Sequence, residues 1–454
     1  MAFVPVFGEV LVQQGREQLQ RLFRVTLGLF TVLLLVFCAL GMAASPWLVK
    51  LFAPGFEPLR HELAVTLTRV LFPYLLLVGL TSLFAGALNT LRHFAAPAAA
   101  PILLNIGIVT SALLLSGVVK PPILSMAIGV LAGGVLGMLL QIPVLRARGI
   151  RLLPQRGWRH PAVGRMFRLM GPALFGVAVY QVNVLVSRAL ASLLPEGSVT
   201  YLYYSDRFLE LPLGVFAVAV ATVALPDLSG HAAAGRRDKL LETLSLALRL
   251  TLFVCLPAMV WMTVCRVPLI ATLLQRGRFG PADTLVTARV FLFAAQGIWA
   301  VAMIRNLVPT FYSLKDTRTP VVIAFFAFLL NAACGVLLMG PLGPAGLALA
   351  NVISAVFNCT WLVIALRRKL GRLGLGRVLA AGARILVAAL LAGAVAWPFT
   401  GLAVWREGGL AGKLLHLAAA AALAGGVYLL ACRLLGVQEM KLLFARRRGV
   451  GDNE

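Results

Sequence analysis

The sequence predicts an all-α, polytopic membrane protein, and three observations carry that prediction. Of its 454 residues 60% are hydrophobic and 13% charged, with a mean hydropathy of +0.93; this is more apolar surface than a soluble core of that length buries. The apolar residues fall into twelve runs, each long enough at about 1.5 Å per residue to cross roughly 30 Å of hydrocarbon. Basic residues cluster in alternate connections between the runs. The spans are helical because an open sheet leaves its backbone unpaired in lipid.

The runs are 24–49, 64–88, 98–118, 122–145, 169–194, 208–226, 246–274, 285–304, 321–340, 343–366, 379–399 and 411–436. Ahead of the first stands "MAFVPVFGEV", which has no basic start and no small-residue cleavage site, so it is not a secretory signal. It reads as the end of a helix. Between the fourth and fifth runs lie Arg146, Arg148, Arg151, Arg156, Arg159, Arg165 and Arg168; after the tenth lie Arg367, Arg368, Lys369, Arg372, Arg377 and Arg384. The turns around Lys120, Glu196 and Pro341 to Pro344 are nearly free of basic residues. Positive loops stay in the cytoplasm, which also places the tail Arg446 to Arg448 inside. The net charge of +25 is then topology and contact with anionic lipid. Nucleic acid is not an expected partner, because the basic loops are short and lack interleaved aromatics.

The six cysteines sit singly, mostly in apolar runs, with no CxxC pair, and the five histidines show no ligand spacing. No metal site, cofactor or thiol chemistry is expected.

Internal repetition accounts for the opening stretch. "AFVPVFGEVLVQQGREQL" aligns with "VALPDLSGHAAAGRRDKLL", pairing Pro5 with Pro226 and Gly15 with Gly235. "SPWLVKLFAPGFEP" aligns with "VPLIATLLQRGRFGP", "LTRVLFPY" with "TARVFLFA", and "NTLRHFAAP" with "FYSLKDTRTP". The offsets are 221, 222, 220 and 223. The second copy carries two more spans ahead of Pro226, so by this logic the first lacks about 56 residues: its first helix and most of its second. Six spans per copy make the repeats parallel, related by an axis along the membrane normal. The expected organisation is an incomplete N-terminal lobe at 1–150, a C-terminal lobe at 151–372, and two additional helices with a basic tail at 373–454.

The richest stretch is "SLLPEGSVTYLYYSDRFLELPLGVFAVAVATVALPDLS", 192–229. Its helix carries Asp206, Arg207 and Glu210, groups that cost about 2.5 to 3.5 kcal/mol each in lipid and so should face a bundle interior or a wet cavity. Two readings stand. Asp206 and Glu210, at i and i+4, neutralise Arg207 and its tyrosine neighbours; or Arg207 presents its planar fork to an anion. Arg305 is a further cavity candidate, and Arg188 lies near enough to its span's outer end to snorkel. Arg69 and Arg289 read as interfacial anchors. Asn183, Asn331 and Asn351 suit bonding between helices, or coordination of a cation.

"LLPEGSV", "YYSDR", "ELPLGVF" and "ATVALPDLS", with "AFVPVF", "GALNTLRHFAAPAAAPILLN" and "FYSLKDTRTP", resemble the MurJ/MviN family of lipid II flippases, within the multidrug/oligosaccharidyl-lipid/polysaccharide exporter superfamily. The resemblance covers the whole chain. It implies fourteen helices: two six-helix lobes around a central cationic cavity and a final pair forming a groove for a polyprenyl tail. Arg207 matches the family's essential cavity arginine on the eighth helix, beside Asp206 and Glu210. Some members bind sodium through carboxylates on the seventh and eleventh helices; the aligned positions here are Ser187 and Gly335, a departure from that pattern.

The resemblance implies a monomeric transporter of the bacterial inner membrane rather than an enzyme. It would move the undecaprenyl-diphosphate-linked peptidoglycan precursor outward by alternating access for cell-wall synthesis, alongside the cell-wall synthesis machinery. Its drive would be the membrane potential or a Na+ or H+ gradient. The alternatives are a superfamily relative that exports drugs or another polysaccharide lipid, and a membrane transferase, for which Asp206 and Glu210 are the one candidate acid pair. Loss of cell-wall synthesis on depletion distinguishes the first reading.

Overall fold

The computed structural model describes residues 3–440 apart from 154, 156–160, 215–217, 372 and 402. Arg156, Arg159, Arg372 and the tail arginines Arg446 to Arg448 therefore lie outside the described residues. The chain is helical throughout that range: α1 (Phe3–Phe52), α2 (Pro58–Leu71), α3 (Pro73–Thr90), α4 (Ala95–Leu115), α5 (Ile123–Ala147), α6 (Pro161–Ser192), α7 (Ser198–Pro212), α8 (Val218–Ala233), α9 (Arg237–Val264), α10 (Arg266–Leu273), α11 (Pro281–Ala295), α12 (Ile298–Ser313), α13 (Arg318–Leu342), α14 (Pro344–Leu370), α15 (Leu375–Ala396), α16 (Val404–Glu407) and α17 (Leu410–Leu434).

Among the described residues nine helices are long and apolar enough to cross a membrane, and the pair α11–α12, bent by 41°, makes a tenth. The two remaining runs, 169–194 and 208–226, fall on α6 and on α7–α8; the second passes through 215–217, outside the described residues. Large apolar side chains stand exposed along the outer faces, among them Phe37 and Leu40 on α1, Ile102 and Leu113 on α4, Phe325 and Leu337 on α13, and Leu430 on α17. A water-soluble protein does not leave such rows bare; a hydrocarbon solvent accepts them.

Proline and glycine set the breaks. Pro58, Pro73, Pro281 and Pro344 open α2, α3, α11 and α14, where a missing N–H has no intrahelical partner to lose. Gly15, with φ 79° and ψ −177°, interrupts α1. Arg92 (φ 58°) and Lys315 (φ 60°) are the non-glycine residues with positive φ among those described. Each ends its helix in the same way: His93 N donates to Leu88 O at 2.9 Å and Asp316 N to Phe311 O at 3.0 Å, the 6→1 bond of a left-handed helix end. Gly15 and Gly235, Arg92 and Lys315, and Gly149 and Gly371 all have positive φ and stand 220, 223 and 222 residues apart.

Two compact units divide the chain, Met1–Gln181 and Val182–Glu454. In the first, Phe7, Phe23, Phe84, Leu88 and Leu145 form the core, and α4 crosses α5 at glycines. A Cβ at Gly129 would lie 2.7 Å from Gly107 O, and one at Gly133 2.7 Å from Leu104 Cα, so only bare backbone permits this approach. Beyond α5 the chain returns along α1: Arg151 N donates to Gln20 Oε1 at 2.9 Å and Arg24 Nε to Leu153 O at 2.8 Å.

In the second unit α7 packs on α11, α13 on α14, and α9 on α8, α12 and α15, while α17 packs on α15. The last pair is fastened to α9 by Tyr428, whose hydroxyl donates to Phe253 O at 2.6 Å. Just past α17, buried Glu439 pairs with Arg249 of α9 at 2.7 Å. The loop between α12 and α13 is tied to the end of α14 by an ion pair of Asp316 and Lys369 at 2.5 Å. Burial pushes the Asp316 carboxyl up, but hydrogen bonds from Lys369 and Thr319 outweigh it and hold the group down at about 2.

Candidate functional site

The candidate site is built on α7, and the helix enters through a turn that only glycine allows. Gly197 has φ 90°, and a Cβ there would meet the Tyr201 ring at 2.6 Å. Tyr201 then donates its hydroxyl to Asp283 Oδ1 at 2.6 Å. The other oxygen of Asp283 accepts from Gly280 N at 2.8 Å, closing the N-terminus of α11. Tyr204 meets Phe279 edge-on at 6.0 Å, and Phe208 meets Phe291 at 5.7 Å. One face of α7, marked by Tyr201, Ser205, Phe208 and Pro212 at helical spacing, is thus committed to packing.

The opposite stripe is Tyr203, Asp206, Arg207 and Glu210, all exposed, and it points away from the core of its own unit. Arg207 Nη1 pairs with Glu210 Oε2 at 2.6 Å, and the guanidinium carbon lies 5.0 Å from the centre of the Tyr203 ring. Glu210 is therefore the ion-pair partner of Arg207 at i+3. Asp206 is within electrostatic reach of Arg207 and Glu210 and also of Arg188, an exposed side chain of α6. The Arg207 and Glu210 side chains are 56% and 60% exposed, and an ion pair so open to solvent is worth only about 0 to 1 kcal/mol. An anion with two or more charges can displace Glu210 and take the fork.

Arg305 sits elsewhere. Half-buried on α12, it donates Nη1 to Leu213 O at 3.1 Å, one residue past the end of α7. Four of the five candidates, Arg188, Asp206, Arg207 and Glu210, are thus gathered along the stripe, and the fifth sits at the helix end. Tyr203 was not singled out from the sequence, although "YYSDR" places it four residues before Arg207, on the same face. Nor was the Tyr201–Asp283 clip, for which "GPAD" at 280–283 carries the signal of an N-terminal acid.

The asparagines also meet. Asn331 Nδ2 donates to Asn183 Oδ1 at 2.6 Å and to Ser187 Oγ at 3.2 Å, with Asn331 buried. This joins α6 to α13. Asn351, half-buried on α14, shares no hydrogen bond with the pair among the described residues. A sodium site needs several oxygens converging with their lone pairs inward; here the central group is an amide NH2 aimed at two oxygens, and neither Ser187 nor Gly335 brings a charge. Among the described residues no three His, Cys, Asp or Glu side chains converge.

The family model of lipid II flippase MurJ matches residues 1–443. The chain belongs to the MurJ family of lipid II flippases. It is 33% identical over 448 residues to a probable lipid II flippase MurJ of Vibrio cholerae, covering 96% of this chain and 85% of that protein. A lipid II flippase MurJ of Burkholderia cenocepacia is 33% identical over 374 residues, 81% of this chain and 72% of its own. Among solved structures, an inward closed conformation of lipid II flippase MurJ superposes with a TM-score of 0.76 at 23% identity, covering 95% of this chain and 90% of that one. An inward-facing MATE family multidrug transporter of the MOP superfamily superposes at 0.73 with 13% identity, covering 82% and 86%. At these identities the superpositions show the fold, and the MurJ family assignment rests on the sequence match.

Proposed function

We propose that this chain flips lipid II, the lipid-linked peptidoglycan precursor, across the bacterial inner membrane by alternating access, with its C-terminus in the cytoplasm. The observation that carries the reading is Arg207. In a chain matched to the MurJ family over 1–443, its guanidinium stands exposed on a polar stripe of a membrane helix, held by a weak pair with Glu210 and the face of Tyr203. A planar fork grips a diphosphate through two parallel hydrogen bonds. Glu210 is exchanged for the lipid's phosphate oxygens, and Asp206 and Arg188 line the approach. Flipping makes and breaks no covalent bond, so the protein is a transporter and not an enzyme. The membrane potential or an ion gradient drives the cycle, and the protein works as a monomer.

The lobes in this reading are parallel repeats at 1–150 and 151–372. The recurrence of positive φ at offsets of 220 to 223 supports them, because a shared backbone geometry repeats even where side chains have diverged. The additional pair, α15 and α17, forms an apolar cavity of about 230 Å³ with α9, walled by Trp261, Ala392, Gly393, Ala421, Gly425 and Tyr428. Small residues leave room there for an isoprenoid chain, and the polyprenyl tail lies along it.

Complementation tests the reading. In a bacterium depleted of its own flippase, a gene carrying this sequence restores growth and cell shape, and Arg207→Ala does not. Equal rescue by Arg207→Ala at equal membrane abundance would reject the assignment of the site.

A further inference from the structure

We infer that Arg305 is a positioning residue, which holds the broken end of α7 and so fixes the orientation of the Arg207–Glu210 stripe, rather than a ligand of the transported lipid. The inference rests on the reading of that stripe as the headgroup site. Pro212 has no N–H, so the α7 ladder is interrupted where Phe208 O would receive its donor. Immediately beyond it the α-helical pattern gives way to a wider turn at Leu213 and Gly214. Leu213 is buried in one apolar cluster with Phe208, Leu209, Cys255, Met262 and Ala302, so the bond its carbonyl accepts there is shielded from water. Arg305 Nη1 reaches across from α12 and donates to that carbonyl at 3.1 Å. Its positive charge lies at the C-terminal end of a helix, where the peptide dipoles favour a cation.

Leu213 is three residues from Glu210 and six from Arg207, about 4.5 and 9 Å along the axis. The restraint therefore shares a turn with Glu210 and lies within two turns of Arg207. Tyr201 and Asp283 fasten the opposite end of α7 at 2.6 Å. With both ends fixed, the stripe between them has one orientation; with the Arg305 tie cut, the last turn of α7 keeps its packing through Phe208 but loses the polar restraint that sets its angle.

The test separates a donor from a charge. Arg305→Gln keeps N–H groups near Leu213 O and removes the charge, whereas Arg305→Met removes both. In the full chain in nanodiscs, spin labels at Leu211→Cys on α7 and Leu285→Cys on α11, both exposed positions, report the helix by pulsed EPR. Positioning predicts a broadened distance distribution and at least a tenfold weaker affinity for lipid II in Arg305→Met. It also predicts recovery of both to within threefold in Arg305→Gln. If Arg305→Met leaves the distribution unchanged, or if Arg305→Gln is as defective in binding as Arg305→Met, the inference is wrong. Arg207→Ala in the same assay tests the headgroup site itself: a loss there with an unaltered distribution keeps the two questions apart.

Discussion

At the scale of single residues, what matters about Arg207 is how little holds it. Its pair with Glu210 is exposed, and its second restraint is the face of Tyr203 at 5.0 Å, a contact worth about 0.5 to 1 kcal/mol at an open site. The guanidinium is preoriented and still exchangeable. Tyr203→Leu should therefore weaken lipid II binding by a few fold without changing the fold, as measured by titration of the purified protein. Glu210→Gln should bind lipid II at least as tightly as the parent, since it removes a competitor for the fork. The ion pair of Asp316 and Lys369 gives a pH prediction. Its carboxyl lies at about 2, below the ordinary 3.9 of an unfolded aspartate, so the group binds its proton more weakly when folded. The stability it contributes is complete above about pH 4 and is lost as pH falls toward 2. Against Asp316→Asn, the difference in melting temperature should be constant from pH 7 to 5 and shrink below 4. Arg207 and Glu210 were legible from spacing and charge alone. Their pairing follows helical spacing, since Glu210 stands three residues beyond Arg207 on the same face whereas Asp206 is its immediate neighbour; what the sequence does not show is that the pair lies open rather than shielded.

Elements repeat this pattern. Most of the twelve apolar runs were readable because lipid selects length and composition: among the described residues nine helices and one bent pair are long and apolar enough to span, and the runs that coincide with α4, α5, α13 and α14 need no tertiary information. The breaks are harder. Pro73 and Gly297 sit at bends, but whether a proline ends, kinks or merely opens a helix depends on what packs against it. The α4–α5 crossing was likewise not foreseen, since three glycines in separate helices acquire meaning only when opposed. Gly129→Val should lower the melting temperature in detergent sharply, because even its first added carbon meets Gly107 O at 2.7 Å and overpacking costs about 1 to 3 kcal/mol or more. Gly426→Ala on α17, with nothing within 4 Å of the new methyl, should be neutral or stabilise by up to about 1 kcal/mol. Just past the C-terminal end of the same helix, Glu439→Ala strands Arg249 beside a buried gap. Loss of one partner from a buried pair costs about 3 to 5 kcal/mol, visible as earlier thermal unfolding.

For the molecule as a whole, a polar stripe on α7 that carries Arg207 and an apolar cavity beside the last helices suit one amphipathic cargo, the proposed diphosphate headgroup on a polyprenyl chain. Four aligned strings predict the proposed repeat, and the positive φ of Arg92 and Lys315, 223 residues apart, agrees with that register. Sequence left Asn183 and Asn331 open as glue between helices or as ligands of a cation, and the bonds of Asn331 to Asn183 and Ser187 show them joining α6 to α13. The central claim is that Arg207 holds the headgroup, and the most direct measurement is the affinity of the purified protein for lipid II. A charge-assisted bond contributes about 1.5 to 3 kcal/mol, and each 1.4 kcal/mol is tenfold. The account predicts that Arg207→Ala weakens binding by about 10- to 100-fold and that Arg207→Lys falls between it and the parent. An unchanged dissociation constant for Arg207→Ala would contradict it.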